Sequence, residues 1–100
     1  MKAFYADYIN HMFRFYIRHQ DKQKLNTLTP VDEANWNACE KVFRDLSDED
    51  QKMMTAVFGN FGMLGDCMRD YSTQSGISLN TLWERLSNVT QQTAKERGLV

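Results

Sequence analysis

Pro30 is the one proline in 100 residues, and five glycines accompany it. Proline and glycine are the strongest breakers of regular backbone, so long stretches are free to continue as helix. Apolar residues in those stretches recur at three- and four-residue intervals, with no strict alternation and no hairpin signal. The expected class is therefore all-α. A chain this short supports one core, so residues 1–100 read as a single five-helix domain.

The first helix is expected from Ala3 to His19. Tyr5, Tyr8, Ile9, Met12, Phe13 and Tyr16 make its stripe, and Phe4, Phe15 and Ile17 widen it. A helix that is apolar nearly all round belongs at the centre of a core or in an oligomer interface. A polar connector follows, with Leu25 and Leu28 as anchors. Thr29-Pro30 then reads as a capped helix start with proline at its first position, supported by Asp32 and Glu33 at the positive helix end. That second helix runs to about Asp45 with Val31, Ala34, Ala38, Cys39, Val42, Phe43 and Leu46 inward. Ser47 before three acids starts a third helix that buries Met53, Met54, Val57 and Phe58. The fourth, Leu64 to Gln74, aligns Leu64, Cys67, Met68 and Tyr71. Ser78 caps the fifth, whose stripe is Leu79, Leu82, Trp83, Leu86, Val89 and Thr93, and Gly98-Leu99 reads as a Schellman stop.

Several function classes find no support. His11 and His19 lie eight apart, and Cys39 and Cys67 belong to no CxxC or HxxxH pattern, so no metal ligand set is expected. Both cysteines fall on apolar stripes and read as small buried hydrophobes. Gly59, Gly62 and Gly65 are spaced by three, but no strand precedes them and no Gly-Lys-Ser/Thr follows. They read as an interhelical turn rather than a phosphate loop. No nucleophile-base pair can be drawn, so neither catalysis nor a cofactor is expected. A mean hydropathy of −0.58 and the absence of any ~18-residue apolar run argue against a membrane span. The polar, charged start is unlike a signal peptide, and two cysteines make no disulfide framework, so the expected compartment is the cytoplasm.

Charge is unevenly spread although the chain totals −1. Residues 1–24 carry an excess of three positive charges, residues 31–50 an excess of five negative, and residues 51–100 one positive. If a polyanion binds, the first helix and the C-terminal third must supply the cations, with 31–50 turned away.

One stretch rises above a plain helix bundle. Helix four, the turn Gly76-Ile77-Ser78 and helix five form a helix-turn-helix pattern. In it glycine allows positive φ, Ile77 plugs the interhelical angle, Ser78 caps the second helix, and Ser72 is small enough for close approach. LSDEDQKMMTAVF at 46–58, followed by this turn and by NTLWERL at 80–86, resembles region 4 of sigma-70-family factors. The matching residues are Leu46 to Asp50, Met53, Met54, Val57, Phe58, Gly76 to Ser78, Thr81, Leu82, Arg85 and Leu86. The resemblance covers about residues 46–90 and leaves the N-terminal helical pair, 1–45, without a counterpart. The Glu-Arg-Gly-Leu-Val end is also similar to that of small proteins of Gram-positive bacteria and their mobile elements, which implies no activity. Two departures stand out. GNFGMLGD lengthens the spacing from Phe58 to Gly76, and Trp83 stands where the family commonly places a basic residue, with the acid Glu84 beside it.

The resemblance implies a DNA-binding transcription regulator in which Ser78, Asn80, Thr81, Arg85, Asn88 and Lys95 face DNA. Asparagine can read adenine, and arginine can read guanine or hold phosphate. The alternative for Arg85 is a salt bridge to Asp70 or Glu84. Trp83 is expected to pack against the N-terminal 45 residues. A second function class stays open beside the first: a helical interaction module without DNA binding. Such a module dimerises, or docks onto a partner such as the transcription machinery, through the aromatic first helix. In the two readings Arg14, Arg18, Lys22 and Lys24 either grip phosphate or solubilise that helix.

Overall fold

The computed structural model describes residues 5–19, 29–60 and 62–99, and every regular element among them is helical. The elements are α1 (Ala6–Arg18), α2 (Pro30–Asp45), α3 (Asp48–Gly59), α4 (Leu64–Ser75) and α5 (Leu79–Arg97). Phe4, Lys22, Lys24, Leu25 and Leu28 lie outside the described residues. α4 ends at Ser75 rather than Gln74 and α1 at Arg18 rather than His19, each a single residue at a fraying terminus, whereas the expected start of α1 at Ala3 lies outside the described residues.

Three helix starts follow directly from local chemistry. Thr29 Oγ1 accepts from the Asp32 amide at 3.1 Å, Ser47 Oγ from Asp50 at 3.2 Å, and Ser78 Oγ from Thr81 at 3.2 Å. Each satisfies an amide that the helix itself leaves without an acceptor. Helix ends are closed by side chains from elsewhere in the fold. The Arg18 guanidinium donates to the carbonyls of Phe58 and Asn60, placing a cation at the negative end of α3. Gln51 Nε2 does the same for Phe43 and Leu46 at the end of α2. Gly98, at φ +82°, ends α5 with the Leu99 amide bonded to the Ala94 carbonyl, the Schellman geometry.

All five helices contribute to one buried cluster. α1 packs on α2, α3 and α5, so the N-terminal pair and the remainder share a core rather than forming two. Phe13 sits at its centre, stacked on Phe58 with ring centroids 6.2 Å apart and edge-on to Tyr16 at 6.3 Å. Trp36 is buried against Tyr16. Asn35 ties three helices together, accepting from Arg97 at 2.6 Å and donating to the Tyr8 hydroxyl at 2.9 Å.

Burial departs from the stripes in several places, among them Phe15, which is 39% exposed. Val31 and Tyr8 are exposed, Ala34 is only half-buried, and Trp83 keeps 39% of its surface in solvent. Val31 lies in the first turn of α2, before that helix reaches its neighbours. Trp83 stands on the flank of the α5 stripe, about 100° around the helix from the fully buried Leu82. No described helix is long and apolar enough to cross a membrane.

Candidate nucleic-acid interface and the cleft beside it

α4 and α5 are joined by Gly76-Ile77-Ser78. Gly76 adopts φ +77° and its amide bonds the Ser72 carbonyl, so a residue without Cβ is needed there. The Ser72 hydroxyl donates to the Ile77 carbonyl at 2.6 Å, and the Ile77 amide donates to Ser75 Oγ at 3.2 Å. Ser72 thus closes the turn by hydrogen bonding, a role beyond its small size. These hydrogen bonds close the turn and set where the first residues of α5 face.

Of the six residues expected to meet DNA, five are exposed: Ser78, Asn80, Thr81, Asn88 and Lys95. The spacing of Asn80, Asn88 and Lys95 puts them on one face of α5, with Glu84 in its middle. Ser78 and Thr81 are engaged with each other, since the Ser78 hydroxyl donates to Thr81 Oγ1 at 2.8 Å while capping the helix.

Arg85 does not join them. Its Nη2 lies 3.2 Å from Glu49 and its Nε 3.8 Å from Asp50, at the acidic first turn of α3. Its third nitrogen, Nη1, is buried without a hydrogen-bond partner. The acids are therefore neither Asp70 nor Glu84 but residues of α3, brought in by the packing of α3 on α5. Arg97 bonds Asn35, which leaves Lys95 as the unpaired cation of α5 among the described residues. On the neighbouring α4, Arg69 is paired with Asp66.

Replacing Arg85 with alanine is expected to cost no more than about 1 kcal/mol, because Glu49 is mostly solvated and solvent screens the pair. Urea unfolding of the two proteins checks this, and raised salt should narrow the difference between them. A loss of ~3 kcal/mol or more would mark a buried network instead.

Beside this face opens a cleft of about 660 Å³ between α1 and α5, bordered by the turn that leads into α4. From α1 and the residue before it come Tyr5, Ala6, Asp7, Asn10, His11 and Arg14. The turn gives Gly62 and Met63, the start of α4 gives Leu64 and Gly65, and α5 gives Trp83, Leu86, Ser87, Thr90 and Gln91. The volume lies within the range of ligand-sized sites. Met63 is 74% exposed and Trp83 stands half in solvent, so large apolar side chains project at the cleft rather than closing over it. Trp83 thus meets the N-terminal helix as a wall of this cleft and not as a core residue.

Sequence reasoning missed the cleft. Its residues lie on separate segments, as polar flank of the first helix, as turn and as stripe of the fifth, and only the gap left between α1 and α5 makes them a site. Arg14 was open between two roles; Arg18 is accounted for by the end of α3.

The remaining candidate groups have structural accounts. His19 stacks on Phe15 and its Nδ1 lies 2.8 Å from the Phe15 carbonyl. Cys39 is fully buried, and burial pushes its thiol up to about 12. Among the described residues no three His, Cys, Asp or Glu side chains come together to hold a metal ion. In comparisons with known proteins, the chain matches no family model, no curated protein and no solved structure.

Proposed function

We propose that the protein is a small helical interaction module that docks a protein partner through the α1–α5 cleft and does not depend on DNA. One observation carries this reading: Trp83 and Met63 project, mostly or partly solvated, at the mouth of the cleft. Tryptophan is the residue type most concentrated at binding hot spots, and methionine adapts its shape to a partner surface. An exposed pair of this kind beside a helical groove is what an unoccupied docking surface presents.

The second reading is the regulator implied by the sigma region 4 resemblance, reading an operator or promoter. It is favoured by the hydrogen-bonded turn that leads into α5 with Asn80 exposed in its first turn, and by Asn88 exposed on the same face further along. Against it stands charge. Non-specific affinity for duplex DNA comes mainly from neutralised phosphates, and α5 offers Lys95 beside Glu84 while Arg85 is held by α3.

Titrating the protein with random and promoter-derived duplexes over a salt series separates the readings. No saturable binding at low salt is the expected result. Saturable binding whose affinity falls steeply with salt would overturn the module reading in favour of DNA.

A further inference from the structure

We infer that the occupant of the α1–α5 cleft is an amphipathic helical segment of a partner protein, carrying an acidic side chain that pairs with Arg14. The inference rests on the docking role proposed above and names the chemistry of the partner.

The shape of the cleft comes from its two walls. On α1 the lining recurs at Asp7, Asn10 and Arg14, and on α5 at Trp83, Leu86 and Thr90. Each set advances by three and four residues over two helical turns, so each wall is about 10–12 Å long. A groove between two helices, two turns long and given apolar surface by Tyr5, Met63, Leu64, Trp83 and Leu86, accepts a third helix that presents residues i, i+3 or i+4, and i+7. An extended strand would leave its backbone groups without partners, because helical walls offer none.

The sign of the partner's charge comes from counting what is already paired. Asp7 is the one acid in the lining among the described residues, and it has a partner of its own. Arg14 is half-buried in the same lining and has no hydrogen-bond or ion-pair partner among the described residues. His11, one turn back on α1, adds no negative charge. A helix entering the cleft removes water from the Arg14 guanidinium, and a partly buried cation tolerates that only with a carboxylate in place. Charge complementarity therefore selects an acidic residue next to the apolar stripe, and disfavours a basic one.

The test is selection from a random 12-residue peptide display library on the full chain, followed by titration of the enriched peptides. Fluorescence of Trp83 reports binding at the cleft, with the buried Trp36 as internal background. Expected are peptides with apolar residues at three- and four-residue spacing and an Asp or Glu among them. Their affinity should fall roughly tenfold or more in Trp83→Ala and in Met63→Ala, as hot-spot truncations do. Met63 is exposed enough that its variant tests the cleft without threatening the fold. Arg14→Glu should weaken the same peptides and, in a repeated selection, enrich Lys or Arg in place of the acid.

The outcomes are distinct. Peptides that depend on Trp83 and Met63 but bind Arg14→Glu and Arg14→Gln unchanged would overturn the acidic partner while the docking role stands. No enrichment, or peptides indifferent to Trp83 and Met63, would overturn the docking role and this inference with it. A concentration-dependent dimer in sedimentation, abolished by Met63→Ala, would show that a second copy occupies the cleft, overturning the separate partner.

Discussion

Replacing Phe13 with alanine is expected to lower stability by about 3–5 kcal/mol, whereas Trp83→Ala should cost less than about 2 kcal/mol. Phe13 is almost completely buried and its ring rests on Phe58 and against the edge of Tyr16. Truncating it removes contacts between α1 and α3 and leaves a cavity that both helices border. A domain of this size has about 5–15 kcal/mol in total, so the variant would sit near the threshold of folding. Trp83 is the larger side chain, yet more than a third of it is already in water, and its removal widens an existing cleft instead of opening a void. Thermal or urea unfolding of the two variants gives the comparison. A larger loss for Trp83→Ala would place that tryptophan in the core and remove the main support for the cleft as a docking surface. The Phe13–Phe58 pair itself should show a coupling of about 0.5–1.5 kcal/mol in a double-mutant cycle.

The contrast between these two aromatics shows what a stripe of apolar residues can and cannot specify. Periodicity tells which face of a helix turns inward, because that follows from 3.6 residues per turn. Depth depends on which other helix crosses that face, and no local pattern encodes this. Leu82 and Trp83 are neighbours in the same stripe, but one is fully buried and the other stands at the edge where α1 diverges from α5. The caps at Thr29, Ser47 and Ser78 were legible for the opposite reason. A hydroxyl and an amide three residues apart meet in any helix that starts there, whatever packs around it.

Arg85 falls between the two cases. The sequence placed it among the DNA-facing residues, with a salt bridge as the alternative, and the structure half-buries it in such a pair. The partner was not legible, because Glu49 and Asp50 lie 36 and 35 residues away and arrive only through the packing of α3 on α5. The acids that suit the positive end of α3 thereby serve two purposes: they stabilise their own helix and they hold the guanidinium that helix five would otherwise offer to a polyanion. The residue type most useful for reading DNA is thus built into the scaffold. The half-buried cation left unpaired among the described residues, Arg14, lies in the cleft on the other flank of α5.

Cys39 provides the last test, of how the core that carries this cleft opens. Its side chain is fully buried on α2, and burial raises its thiol from an ordinary 9.0 to about 12. In a Cys67→Ala protein, where Cys39 is the one thiol, a disulfide reagent at pH 8 is expected to react roughly 10³-fold or more slowly than with the urea-unfolded chain. That factor follows if exposure requires most of a global opening of at least ~5 kcal/mol. The raised thiol also sets a direction with pH. The folded state holds its proton more tightly than the unfolded one, so this contribution to stability is complete below about pH 9 and is lost as pH rises toward 12. The decline of the urea midpoint over that window should therefore be shallower in Cys39→Ala than in its Cys39-containing parent. Labelling within the mixing time would show that α2 detaches from α5 without global unfolding, and the wall of the cleft would then rest on a locally opening scaffold.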